Sequence, residues 1–195
     1  MPRKKRHLID DGIYHVFNRG NDRQRLFREE EDFVYFLKCL EKEKTILKAQ
    51  IYHYCLMSNH FHFLLKVRLG DHLPILMHRL QLGYARYFKR KYKLIGHLFQ
   101  SRFKSPHIRE ESYYLQCGRY IERNPVKARQ IQDPSQYLWS SASFYTRGTI
   151  NPILTANIYY HELGSTPEER QRRYREFLSL DEPYANAINQ ELAVV

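Results

Sequence analysis

Two histidines stand one residue apart in the stretch NHFHFLL (59–65), with Phe61 between them and an apolar run behind. Neutral imidazole is a good ligand for divalent cations. Side chains alternate across a strand, so on a strand His60 and His62 share one face while Phe61 and Phe63 share the other. Two imidazoles on one face can converge on one ion, and polar side chains inside an apolar strand need a partner. A second polar row lies in QCGRYIERNPVK, where Gln116, Tyr120 and Asn124 recur every four residues and share a helix face. Leu115, Gly118 and Ile121 lie toward another side. The row presents an amide, a phenol and an amide. A phenol can serve as a nucleophile. An amide oxygen one turn away can add a ligand for a hard cation such as Mg2+ or Mn2+. Lys127 follows Tyr120 by about two turns, near enough to that face to neutralise a phosphate.

The elements that must position these groups follow from periodicity. IYHVFNRG (13–20) reads as a strand, and residues 29–46 as a helix with Phe33, Phe36, Leu37 and Leu40 at helical spacing and acidic residues leading it. AQIYHYCLMS and HFHFLLKV read as two strands joined tightly around Ser58-Asn59. Residues 72–92 form a helix with a strongly basic end. Residues 96–108 read as extended, with Arg102 and Lys104 on one strand face beside Phe99 and Phe103. Residues 110–131 form a helix, or two short ones divided at Pro125, where Asn124 could cap the second. A further helix spans 166–178. The turn at Ser58-Asn59 is too short for a parallel crossover. The expected architecture is therefore α+β: an antiparallel sheet with helices packed on one face, the histidines on the open face or on the floor of a groove beside a helix.

The 195 residues suit one domain with an appendage. Charges interrupt every apolar run, so no signal peptide or membrane span is expected. Three scattered cysteines form no CxxC pair and suggest neither a disulfide framework nor a zinc-thiolate site; they fit a reducing cytoplasm. The net charge is +11, and residues 150–195 hold seven acidic against four basic side chains, so the first 149 residues carry +14. Such a charge attracts polyanions. Mixed with 16 tyrosines and 11 phenylalanines, it suits single-stranded nucleic acid, where phosphates pair and bases stack. A small-substrate metal hydrolase fits this charge poorly.

NRGNDRQRLF, YCLMSNHFHFLL, GHLFQSRFKS and RYIERNPVKA, followed by YLWSS, together resemble the single-tyrosine HUH transposases of the IS200-like group, most nearly the REP-associated tyrosine transposases. The likeness runs from about Ile13 to about Ser141. It implies a ferredoxin- or RRM-like HUH endonuclease fold, with residues 1–148 as the transposase domain and 149–195 as a C-terminal helical extension. It further implies a divalent metal, Mg2+ or Mn2+, held by His60 and His62, with Asn124 where relatives place a third, amide ligand. Tyr120 matches the nucleophile. The implied activity is cleavage and rejoining of single-stranded or hairpin DNA through a 5′-phosphotyrosine, in the cytoplasm at the nucleoid. Arg102 and Lys104 would contact DNA, Lys127 would neutralise phosphate, and Arg3, Lys4, Lys5 and Arg6 would form a DNA-binding arm. A homodimer with a tyrosine supplied across the interface is left open, and no coiled-coil seam selects it. The competing reading is a non-catalytic hairpin-binding protein.

Overall fold

The computed structural model describes residues 8–180. Four strands, β1 (Ile13–Arg19), β2 (Gln50–Met57), β3 (His60–Lys66) and β4 (His107–Ile108), form one antiparallel sheet in the order β2-β3-β1-β4. Around it lie α1 (Glu30–Leu47), α2 (His72–Tyr92), α3 (Glu111–Glu122), the single turn α4 (Asn124–Lys127), α5 (Ala142–Arg147), α6 (Ile158–Glu162) and α7 (Pro167–Ser179). Ser58 and Asn59 alone link β2 to β3, so Met57 pairs with His60. All three cysteines are free thiols. Among the described residues, no helix is long and apolar enough to cross a membrane.

The alternation along β3 sorts the core into two layers. Phe61, Phe63 and Leu65 are fully buried against Phe36 and Leu40 of α1 and Leu76, Leu80 and Tyr84 of α2. Leu64, on the opposite face, packs with Cys55 and Met57 of β2 and with Cys117 and Ile121 of α3. Each such buried side chain contributes roughly 1.5–3 kcal/mol. Helices therefore cover both faces of the sheet, and the one-faced arrangement expected from the sequence is corrected. The reason is α3, whose buried residues Tyr114, Cys117, Gly118 and Ile121 form their own apolar stripe and need a second surface. The histidine face is the floor of a groove beside this helix.

Residues 96–108, read as extended from the sequence, hold little regular strand. Only His107–Ile108 qualifies as a strand. Upstream, the segment follows the edge of β1 in pieces: Gln100 N donates to Arg19 O (3.0 Å), while Phe17 and Lys104 exchange bonds of 3.1 and 2.9 Å. Between these contacts residues 101–103 leave the ladder. Pro106, which has no N–H to donate, still accepts from His15 N (3.0 Å).

A buried polar network locks α3 onto β2 and onto the C-terminal segment. Glu122 is fully buried; its Oε1 lies 2.8 Å from His53 Nδ1 and 2.5 Å from Ser141 Oγ, and its Oε2 accepts from the Tyr174 hydroxyl of α7 (2.8 Å). Asn157 Nδ2 lies 3.1 Å from His53 Nε2. The His53 ring is thus held at both nitrogens, its Nδ1–H donated to the carboxylate and its Nε2 accepting from the amide. Gly118 packs against that ring so closely that a Cβ would meet Nε2 at 2.8 Å. Gly118→Ala should therefore lower stability by about 1–2 kcal/mol in chemical denaturation, although Ala is the better helix former by about 1 kcal/mol. A more stable variant would show that the ring is free to move.

Candidate active site

The register of β1 against β3 builds the floor. Arg19 sits opposite His60, Phe17 opposite His62 and His15 opposite Leu64. The His60 and His62 rings stand 5.1 Å apart and nearly perpendicular. His60 Nδ1 lies 2.8 Å from Asn59 Oδ1. A carbonyl oxygen only accepts, so Nδ1 carries the proton and Nε2 keeps its lone pair. His62 Nδ1 lies 3.0 Å from Nε2 of the buried His15, which leaves Nε2 as the His62 nitrogen able to ligate a cation. Burial lowers the His60 ring below the usual imidazole range; a hydrogen bond with the Asn124 side chain works against this, and Arg19 adds to it. Burial also pushes His62 well below that range, helped by His60, His15 and Lys127. Burial pushes His15 down to about 3. All three rings are neutral near pH 7, the form in which imidazole ligates a cation.

The wall comes from the break between α3 and α4. Pro125 has no N–H for the carbonyl of Ile121, four residues back. The Asn124 side chain fills the gap: its Nδ2 donates to Ile121 O (3.2 Å) and to Tyr120 O (2.9 Å). Asn124 is thus not a side-chain cap. Both donors of its amide are turned into the helix, so Oδ1 is left to face His60. Asn124→Asp should cost about 1–3 kcal/mol in stability, because an oxygen would then face two carbonyls. Equal stability of variant and parent in urea would contradict this account of the amide.

Tyr120, His60, His62 and Asn124 line one pocket of about 260 Å3. The Tyr120 ring is 7% exposed and lies edge-on to His62, with centroids 5.8 Å apart. The other phenols of the segment do not line it: Tyr114 packs against Tyr52 and Tyr159, and Tyr113 packs against the apolar cluster of Leu64 and Ile121. Gln116 is not in the pocket, and its Oε1 faces Arg119 at 3.5 Å. Two imidazoles and an amide oxygen could hold one divalent ion, the amide favouring a hard one. Among the described residues no group of three or more His, Cys, Asp or Glu could do so.

The rim is basic. Arg102 and Lys104 line the pocket, Arg102 from the stretch that leaves the ladder and Lys104 from its pairing with Phe17. Lys127 Nζ lies 4.0 Å from the centre of the Tyr120 ring, over its face. Arg19 and Arg23 also line the pocket and were not singled out from sequence. Arg19 Nε donates to Gln100 Oε1. Gly20 makes the intervening turn feasible, since a Cβ there would meet the Gln24 carbonyl at 2.1 Å. Arg3, Lys4, Lys5 and Arg6 lie outside the described residues.

Comparison with known proteins gives the family. The family model described as "Transposase IS200 like" matches residues 9–124, which include His60, His62, Tyr120 and Asn124. The fold is similar to that of a REP-associated tyrosine transposase solved bound to a REP hairpin, with a TM-score of 0.65 and 19% identity over 81% of this chain and 93% of that one. A more distant likeness, with a TM-score of 0.44 and 18% identity over 63% of this chain and 97% of the other, is to a candidate transposase from Deinococcus radiodurans R1. No curated protein sequence matches the chain. With a family match across more than half its length, an antiparallel sheet covered by helices, and a pocket that gathers two strand histidines and a helix tyrosine, the chain belongs to the IS200-like transposase family.

Proposed function

We propose that the protein is a metal-dependent DNA strand transferase that cleaves and rejoins single-stranded or hairpin DNA through a 5′-phosphotyrosine on Tyr120. The observation that carries this reading is the convergence of one phenol, two neutral imidazoles and an outward-facing amide oxygen on a single pocket with a basic rim. His60, His62 and Asn124 would hold Mg2+ or Mn2+. When bound, such an ion polarises the scissile phosphate and stabilises charge on the leaving oxygen.

The remaining chemistry belongs to side chains. Tyr120 Oη attacks phosphorus, giving up its proton to water as the new P–O bond forms. The bond to the 3′ oxygen breaks, and that oxygen takes up a proton from water to become a free 3′ hydroxyl. One phosphodiester is exchanged for another, so a 3′ hydroxyl can later reverse the step and release Tyr120 without a nucleotide cofactor. The Lys127 ammonium over the ring stabilises the negative charge that develops on the phenol. Arg19, Arg23, Arg102 and Lys104 would fix the strand through its phosphates.

A labelled hairpin oligonucleotide incubated with Mn2+ should give a retarded protein–DNA band on a denaturing gel. Retardation on native gels alone would instead support the non-catalytic hairpin binder. Affinity should favour the hairpin over a blunt duplex of equal length. With these four residues and Lys127 on phosphates of a single strand, it should fall about 100-fold between 50 and 200 mM salt. Equal affinity for duplex, or a flat salt response, would count against the proposed partner.

A further inference from the structure

We infer that His15 is a positioning residue for the strand-transfer site: its Nε2 accepts the Nδ1–H of His62 and holds that ring in the tautomer whose Nε2 can ligate a cation. The inference rests on the reading of His60, His62 and Asn124 as the ligand set. His15 is 1% exposed and does not line the pocket, so it acts only through its neighbour.

Its place is fixed from several sides. The backbone N of His15 donates to Pro106 O at 3.0 Å, and its partner across the ladder is Leu64. Its ring lies 26° from the plane of the His62 ring, with the two nitrogens 3.0 Å apart. Phe17 (5.0 Å) and Tyr120 (6.1 Å) close the sides of the ring. A polar ring buried in an apolar strand is costly without a hydrogen bond, and His62 supplies one.

Two neutral imidazoles share this contact, and each carries one N–H. In one arrangement His62 Nδ1–H donates to His15 Nε2, and His62 Nε2 presents a lone pair. In the other, His15 Nε2–H donates to His62 Nδ1, and His62 Nε2 carries a proton that excludes a cation. A cation at the pocket selects the first arrangement. The bond from Nδ1–H to His15 also orients the ring and raises the basicity of Nε2. Such supporting partners are typically worth about 10- to 100-fold in metal affinity.

The test is Mn2+ affinity, read by electron paramagnetic resonance on the full chain without DNA, in wild-type protein and in His15→Phe and His15→Gln. Phe keeps the apolar volume and has no acceptor. Gln keeps an oxygen that can accept from His62. The expected result is affinity weaker by about 10- to 100-fold in His15→Phe and restored to within a few-fold of wild type in His15→Gln. In wild-type protein with Mg2+, 15N shifts of the His62 ring should report a proton on Nδ1. Wild-type affinity in His15→Phe overturns the inference, as does a His62 proton on Nε2 in the Mg2+ form. If His15→Phe fails to fold, the Gln variant and the 15N shifts decide alone. His62→Ala separates the two levels of the argument: undiminished Mn2+ binding in that variant overturns the ligand set itself, and the inference with it.

Discussion

Tyr120→Phe is expected to abolish the covalent protein–DNA adduct, lowering its formation by roughly 10^4-fold or more, while hairpin affinity and melting temperature stay close to those of the parent. Removing a nucleophile removes the step it performs, and no neighbouring group substitutes at that position. The ring itself should remain where it is. Three of its contacts are made by carbon faces and edges: His62 edge-on at 5.8 Å, His15 at 6.1 Å and Lys127 over the face at 4.0 Å. Phe keeps these three. Adduct formation is read on a denaturing gel and affinity on a native one, so the chemical and binding roles separate in one preparation. An adduct that survives in Tyr120→Phe would move the nucleophile elsewhere.

The second large effect concerns the histidines. His60→Ala combined with His62→Ala should reduce cleavage by about 10^3-fold or more, since a bound cation contributes several kcal/mol to the stabilisation of charge at phosphorus. Hairpin binding should stay within a few-fold of the parent, because the proposed reading assigns it to Arg and Lys on the rim. The single variants should differ in stability. His60 is half-buried, and its Nδ1 partner Asn59 can turn to solvent. His62 is 4% exposed, and its removal leaves His15 Nε2 buried without its partner. That orphan should cost about 1–3 kcal/mol, so His60→Ala is the cleaner probe of chemistry. Full cleavage by the double variant would remove the metal from the mechanism.

Much of the candidate site was legible because it depends on short-range rules. The two-residue alternation of β3 puts His60 and His62 on one face whatever the rest of the chain does, and the four-residue repeat of a helix brings Asn124 beneath Tyr120. What could not be read depends on register between distant strands. His15 lies 47 residues from His62, and only the pairing of Phe17 with His62 brings the two rings together. Arg19 and Arg23 enter the pocket through that register and through a turn that Gly20 permits. The second helical layer was missed for a related reason: α3 shows its apolar stripe in sequence, but the sequence does not say which face of the sheet receives it. Residues 96–108 read as extended, but the sequence does not show that residues 101–103 leave the ladder on β1, or that Arg102 and Lys104 then both line the pocket. The helices α5 and α6 are 6 and 5 residues long, too short for periodicity to reveal. Glu122 reads as an ordinary helix carboxylate until His53, Ser141 and Tyr174 are seen around it.

The most direct measurement is the identity of the residue that becomes joined to DNA. Wild-type protein is incubated with a hairpin oligonucleotide and Mn2+, the adduct is digested, and the DNA-linked peptide is sequenced by mass spectrometry. The structure singles out one phenol of the segment: Tyr120 lines the pocket with both histidines, whereas Tyr113 and Tyr114 do not. The account predicts a nucleotide on Tyr120. A nucleotide on Tyr113 or Tyr114, or no adduct under conditions where the hairpin is bound, would contradict it.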